Sequence, residues 1–306
     1  MTRYRTNLVE ERARTINRLQ KTLEDTNLKL GDVVTDILGK SSRAILDALL
    51  AGQTDPALLA DLARGRLKAK RAQLEQALVG TIKPHHRFIL AEHLAHIDDL
   101  DEAIVRVEGE IDTFMYPETL TSPDEMLGDE VRQEDQKQAL TWEQAIALLC
   151  SIPGISQRSA QGILAEIGLD MDRFPSAKHL ASWAGMSPGN RESAGKRFSG
   201  KTNKGSPRLR KLLVEVAHAA AHTKKTYLAA HYQRLKARRG AKKAMIAVGH
   251  TILVIIYHLL DEKKVYEDLG GNYFDEHERE ATEKRLVRRL ERLGFEVSLQ
   301  PMNQVS

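Results

Sequence analysis

The sequence predicts an all-α protein: an N-terminal helical, coiled-coil arm followed by a compact C-terminal helical domain. Three observations carry that expectation. Apolar residues recur at steps of three and four along most of the chain, the period of a half-buried helix. Runs of strand length with strict apolar–polar alternation are lacking, so a sheet-based nuclease or nucleotide-binding core cannot be assembled from these residues. Aromatics are only 5% of the 306 residues, and the helix formers Leu, Ala, Glu, Lys and Arg dominate.

Taken in order, residues 3–26 place Tyr4, Leu8, Ile16, Leu19 and Leu23 at helical spacing among many charges. Short helices follow at about 33–38, 42–51 and 56–63, punctuated by Gly39, Gly52 and Gly65. Ser41 and Asp55 stand where N-caps belong, and Pro56 suits a first helical position. Residues 66–78 suggest one more helix, broken by the stretch from Gly80 to Pro84. From 86 to 114, Leu90, Leu94, Ile97, Leu100, Ile104, Val107 and Ile111 mark a long amphipathic helix. Its stripe suits coiled-coil pairing with the first helix or with another subunit. We therefore assign residues 1–115 to a helical coiled-coil region. The polar, acidic stretch 116–139 is assigned as a linker.

The helical period returns at 142–151, 157–167, 177–184, 208–222, 226–238 and 242–260. These form the expected C-terminal domain, 140–270. Between Gly185 and Pro207 the chain is rich in Gly, Ser, Asn and Lys, which predicts an extended loop with a short hairpin. A charged helical tail, 271–306, contains a helix at 275–293 and a short apolar strand at 295–299.

Composition narrows the function. One cysteine, Cys150, cannot form an internal disulfide, so a reducing cytoplasm is expected. Residues 1–26 are charged throughout and do not resemble a signal peptide. The apolar run 244–260 is interrupted by Gly249, His250, Tyr257 and His258; it predicts a buried helix too short and polar for a bilayer, and no membrane partner. No repeat of fixed period, Walker loop or dinucleotide fingerprint is present. Net charge is only +4, yet residues 196–243 hold fifteen Lys or Arg against one acid, Glu215, a local +14 that leaves −10 on the rest. Segregation of this kind points to a polyanionic partner.

Two constellations could meet that partner. Ile152-Pro153-Gly154-Ile155-Ser156 is similar to a helix-hairpin-helix turn, in which the first backbone N–H groups of a helix face a DNA phosphate. Gly154, Ile155 and Ser156 are its candidate contacts, although a plain interhelical turn would use the same residues. The second is the basic loop and the helix behind it: Arg191, Lys196, Arg197, Lys201 and Lys204 among glycines, then Arg208, Arg210 and Lys211. Flexible backbone with cations suits phosphate tracking, with binding that weakens steeply in salt. His218 and His222 have the i, i+4 spacing of a metal pair, but Ala219-Ala220-Ala221 lies between them and no third ligand is evident. Ser193 sits in the loop; local residues alone do not name a base to activate it.

Together these segments are familiar. Ile152-Pro153-Gly154-Ile155, the run His179 to Pro188, Arg191-Glu192-Ser193-Ala194-Gly195-Lys196-Arg197, Asn203-Lys204-Gly205 and Arg208-Leu209-Arg210 resemble the C-terminal domain of IS110/IS116/IS902 transposases. Arg3-Tyr4-Arg5, Ser41-Ser42-Arg43, His85-His86-Arg87 and the tail Asp268 to Phe274 resemble flanking helical parts of the same family. The resemblance implies an RNA-guided DNA recombinase in which Ser193, by motif position, is the nucleophile that forms a covalent phosphoserine link to DNA. It also implies partnership with DNA and a structured noncoding guide RNA, and a homo-oligomer formed through the helical arm. A RuvC-like domain whose four acids bind divalent metal, Mg, is expected before Arg3-Tyr4-Arg5; no cofactor is expected in this chain itself, which by this reading is inactive alone. Ala194 stands where the family often has glycine. The alternative is a nucleic-acid-binding module without catalysis.

Overall fold

The computed structural model describes residues 1–117, 140–189, 191–193, 196–199, 202–277 and 279–298. It divides into two compact units, Met1–Thr121 and Ser122–Ser306. The residues expected to form a linker lie, from 118 to 139, outside the described residues. Apart from one two-stranded hairpin, the described elements are helices, as the periodicity predicts.

Unit one is framed by α1 (Thr2–Asp25) and α6 (Pro84–Met115). They run antiparallel: Arg5 meets Glu108 at 2.6 Å and Arg12 clasps Asp101. Leu19 and Leu23 bury against Leu90, Leu94 and Ile97, so the apolar stripe of α6 is used, at least there, within this chain. The same core takes in Ile45, Leu46 and Leu49 of α3 (Lys40–Leu50), Leu59 of α4 (Pro56–Asp61) and Leu74 of α5 (Arg71–Ala77). Asp55 caps α4 by accepting from the Ala57 amide at 2.8 Å, with Pro56 in the first turn.

Three local expectations change. The helix expected at 33–38 is α2, Leu30–Val33, and it stops because Val34 is extended (ψ 142°). Gly39, not Ser41, occupies the N-cap of α3; the Ser41 hydroxyl instead accepts the Arg64 amide across the chain at 2.9 Å. The single helix expected at 66–78 is a 3-10 segment, Gly65–Lys70, followed by α5. The division falls at Lys70, whose backbone (φ −99°, ψ 16°) departs from the α-helical region and serves as the N-cap of α5.

Unit two packs α7 (Trp142–Cys150), α9 (Ala177–Trp183), α10 (Pro207–His222) and α11 (Tyr227–Arg239) around α12 (Ala241–Glu262), with α8 (Gln157–Ile167) resting on α7 and α10. Thr141 forms a capping box with Gln144, starting α7. Small side chains set the spacing: Ala217, Ala220 and Ala221 of α10 are buried with Val248, Gly249, Ile252 and Ile256 of α12. With 22 residues, α12 is long and apolar enough to cross a membrane by length and composition, contrary to the expectation from residues 244–260. Ala244, Val248, Ile252, Leu253 and Ile256 are fully covered by the neighbouring helices, which is the condition of a core helix.

After α12 the chain returns along the unit. The Tyr266 amide donates to Ser151 Oγ (2.9 Å), and Asp268 Oδ1 accepts the Tyr227 amide (3.0 Å) that opens α11. Phe274 of α13 (Tyr273–His277) stacks on Tyr227 and His231, with the Arg234 guanidinium 4.9 Å from its ring centre. The expected helix 275–293 is broken into α13 and α14 (Arg279–Glu291), and 295–298, expected as strand, has no regular structure.

Candidate nucleic-acid interface

The basic loop is an antiparallel hairpin, β1 (Arg191–Ser193) and β2 (Lys196–Ser199). Backbone register sets Ser193 opposite Lys196, Glu192 opposite Arg197 and Arg191 opposite Ser199, with a bulge between Arg191 and Glu192. Ser193 therefore ends β1 immediately before the tip. A Pro188–Thr202 bridge and an Asn203 amide donating to Ser187 carbonyl (3.2 Å) continue the pairing toward the base. Lys201 lies outside the described residues.

Three features seat the hairpin on the helices. Gly185 (φ +70°) and Gly205 touch backbone to backbone: a Cβ on Gly205 would lie 2.3 Å from the Gly185 nitrogen. Met186 is buried beneath Gly249, where a Cβ would lie 2.8 Å from the Met186 methyl carbon. Finally, the Arg210 guanidinium donates to the Gly185 carbonyl, to Thr202 Oγ1 (2.8 Å) and to the Asn203 carbonyl (2.8 Å). Arg210, expected among the phosphate-contacting cations, is thus a clip holding both feet of the hairpin. All three bonds run from the same guanidinium nitrogen, Nη2, which lies between the two feet.

Helix α10 starts where the hairpin ends. Ser206 caps it, accepting from the Leu209 amide at 3.2 Å, while its hydroxyl donates to Glu166 of α8 at 3.3 Å. Lys204, Arg208 and Lys211 are exposed around this start. The first turn of α10 holds no acid. Cations near a helix N-terminus oppose the macrodipole, each at a cost of about 0.3–1 kcal/mol. An anion bound there would remove that repulsion.

The Ile152–Ser156 turn serves packing. Gly154 (φ +90°) lies against α10, with a Cβ there only 2.5 Å from the Ala220 nitrogen. Ile155 is buried, and its amide donates to the Ile152 carbonyl at 3.1 Å. Ser156 is exposed and caps α8 through the Ser159 amide (3.3 Å). Of the three turn residues expected to meet phosphate, two face the protein interior in this arrangement. The histidine pair does not gather further ligands: His222 Nδ1 donates to the His218 carbonyl at 2.6 Å, and no cluster of three His, Cys, Asp or Glu occurs among the described residues. The carboxylate set implied for a divalent metal is not offered by them.

Fold and site define a helical domain that presents a basic hairpin from a glycine-and-arginine seat, with more cations on the helix start beside it. Residues 146–233 match the family described as Transposase IS116/IS110/IS902. The 43.6 kDa protein of insertion element IS110 from Streptomyces coelicolor is 26% identical over 267 residues, covering 85% of this chain. The chain spans 62% of that relative's length.

Proposed function

We propose that the chain acts in DNA transposition as a recombinase of the IS110 type, with the hairpin and the start of α10 receiving the DNA backbone. The observation that carries this reading is the hairpin's seat. Arg210, Gly185 and Gly205 fix a cationic loop beside a helix start that is itself crowded with cations. Phosphate contacts of this sort position DNA without reading its sequence. Base recognition would fall to a structured guide RNA, and assembly into a homo-oligomer to the helical arm, in the cytoplasm.

Chemistry is assigned to Ser193. Its hydroxyl oxygen attacks a DNA phosphorus and a serine–phosphate ester forms, while one of the two original ester bonds breaks to release a strand-end hydroxyl whose oxygen takes up, by way of a base, the proton lost by the serine. The strand remains attached to the protein until the released strand end of a partner duplex displaces the serine. Divalent metal would be held by the carboxylates of the RuvC-like domain that the resemblance implies. A second reading is a nucleic-acid-binding module without catalysis, which the basic hairpin and the cations at the start of α10 would serve equally.

Covalent capture separates the two. A full recombinase assembly containing this chain, incubated with guide RNA and labelled DNA, should give a denaturant-resistant protein–DNA adduct. Ser193→Ala should abolish it with DNA affinity retained, and Ser199→Ala should leave it intact. An adduct that survives Ser193→Ala overturns the serine assignment; DNA binding with no adduct in any variant supports the binding module.

A further inference from the structure

Unit one contains a second concentration of cations, away from the hairpin in the sequence. Residues 64–71 contain Arg64, Arg66, Lys68, Lys70 and Arg71 without an acid. In the fold, the 3-10 segment Gly65–Lys70 and the start of α3 form two walls of a cleft of about 510 Å³. Lys40, Arg64, Arg66 and Lys70 line it, with Ser41 and a lone carboxylate, Asp36.

How these cations are partnered sets them apart. Outside the cleft, Arg5, Arg12, Arg14 and Arg43 each lie on a carboxylate, at 2.7 Å for Arg43 with Asp98, and so does Arg71 at the end of the run, 2.6 Å from Asp61. Among the described residues, Lys40, Arg64 and Arg66 have no ion-pair partner, and Lys70 donates to the Val33 carbonyl at 3.1 Å. Asp36 is engaged by the Leu38 amide at 3.0 Å. Clustered like charges repel, and placing several around one concavity is unfavourable unless an anion neutralises them. The walls are also held firmly: the Arg64 amide is tied to Ser41 Oγ, and buried Ser42 donates to the Asp36 carbonyl at 2.8 Å.

We propose that this cleft binds successive phosphates of a nucleic-acid backbone, as a contact separate from the hairpin. The proposal rests on the reading that the protein handles nucleic acid. Two guanidinium forks and two ammonium groups match phosphodiester oxygens, which accept charge-assisted hydrogen bonds but supply no donors. The cleft offers no aromatic wall among its lining residues, so backbone, not base, is what it recognises.

The test uses the full chain and hydrogen exchange by mass spectrometry, with RNA and duplex DNA of about 20 nucleotides or base pairs at low salt. Peptides spanning 36–43 and 62–71 should exchange at least about threefold more slowly when nucleic acid is bound. Lys40→Gln/Arg64→Gln/Arg66→Gln should remove that protection and flatten the plot of log affinity against log salt by about 0.7–0.9 for each phosphate no longer neutralised. Arg64→Lys/Arg66→Lys, which keeps the charge, should retain most of both effects, and a thermal melt of each variant checks that it folds. A Lys196→Gln/Arg197→Gln/Lys204→Gln variant should keep cleft protection. If nucleic acid protects the hairpin and leaves the cleft peptides unchanged, the proposal is overturned while the function reading stands. Protection of neither region overturns both. Protection by inorganic tripolyphosphate, with none from RNA or DNA, overturns the nucleic-acid assignment in favour of a free phosphate ligand.

Discussion

Replacing Gly205 with alanine would put a methyl carbon 2.3 Å from the Gly185 nitrogen, 2.4 Å from the Ala184 carbonyl carbon and 2.6 Å from its oxygen. Ordinary contact begins near 3.4 Å, so the two feet of the hairpin must part by about 1 Å. Neither foot can yield without loss. Gly185 is held at φ +70° and its carbonyl receives the Arg210 guanidinium, which also grips Thr202 and Asn203 on the other foot. Overpacking of this kind costs about 2 kcal/mol. For a unit of this size that lowers the melting temperature by about 4–8 °C. Calorimetry of the full chain would measure the shift, and exchange at peptides 184–189 and 202–206 would report the loosened base. Affinity for duplex DNA should fall as well, because the hairpin is no longer set at a fixed angle to α10. A melting temperature within about 1 °C of the parent, with base exchange unchanged, would refute the claim that a glycine-on-glycine seat positions the hairpin.

Other consequences follow from the same packing. Gly154→Ala meets both a positive φ and the Ala220 backbone at 2.5 Å, so it should lower the melting temperature by an amount similar to Gly205→Ala. DNA affinity of the folded fraction should be unchanged, and a large decrease would return Gly154 to the interface. Burial holds the pKa of His231 below the ordinary histidine value, with Arg234 adding to the effect, and burial does the same to His250. Below about pH 6.5 the unfolded chain takes up protons that these folded sites resist, so stability present at neutral pH should decline as pH falls. Melting followed from about pH 7.5 to 5.5 should show the decline, and His231→Gln/His250→Gln should flatten it. Stability that rises on acidification in the parent chain would contradict this.

Local chemistry explains what could be read from sequence. Asp55-Pro56 marks a helix start because its capping bond is made within two residues, and the fold honours it. The all-α class and the hairpin between Gly185 and Pro207 were legible for the same reason, in periodicity and in glycine spacing. Ser41 misleads because the Arg64 amide, distant in sequence, takes its hydroxyl. Arg210 and Gly154 carry the same lesson. A cation at a helix start and a glycine in a turn both suggest phosphate, yet Arg210 turns to three oxygens of the hairpin feet and Gly154 to the backbone of α10. The cleft of unit one escaped because the charge of residues 64–71 was averaged into an acidic remainder. A run of five cations in eight residues, with no acid among them, was the signal that could have found it.

The central claim is that the hairpin and the start of α10 form the surface that meets DNA. Its most direct measurement is the salt dependence of duplex DNA binding by the full chain and by a Lys196→Gln/Arg197→Gln/Lys204→Gln/Arg208→Gln variant, which leaves the Arg210 clip in place. The account predicts a steep fall of affinity with salt for the parent chain. In the variant the slope of log affinity against log salt should be shallower by about 3–4, near 0.9 for each phosphate left without its cation, with a cooperative thermal melt that shows the variant is folded. Binding indifferent to ionic strength, or an identical slope in the two proteins, would contradict it.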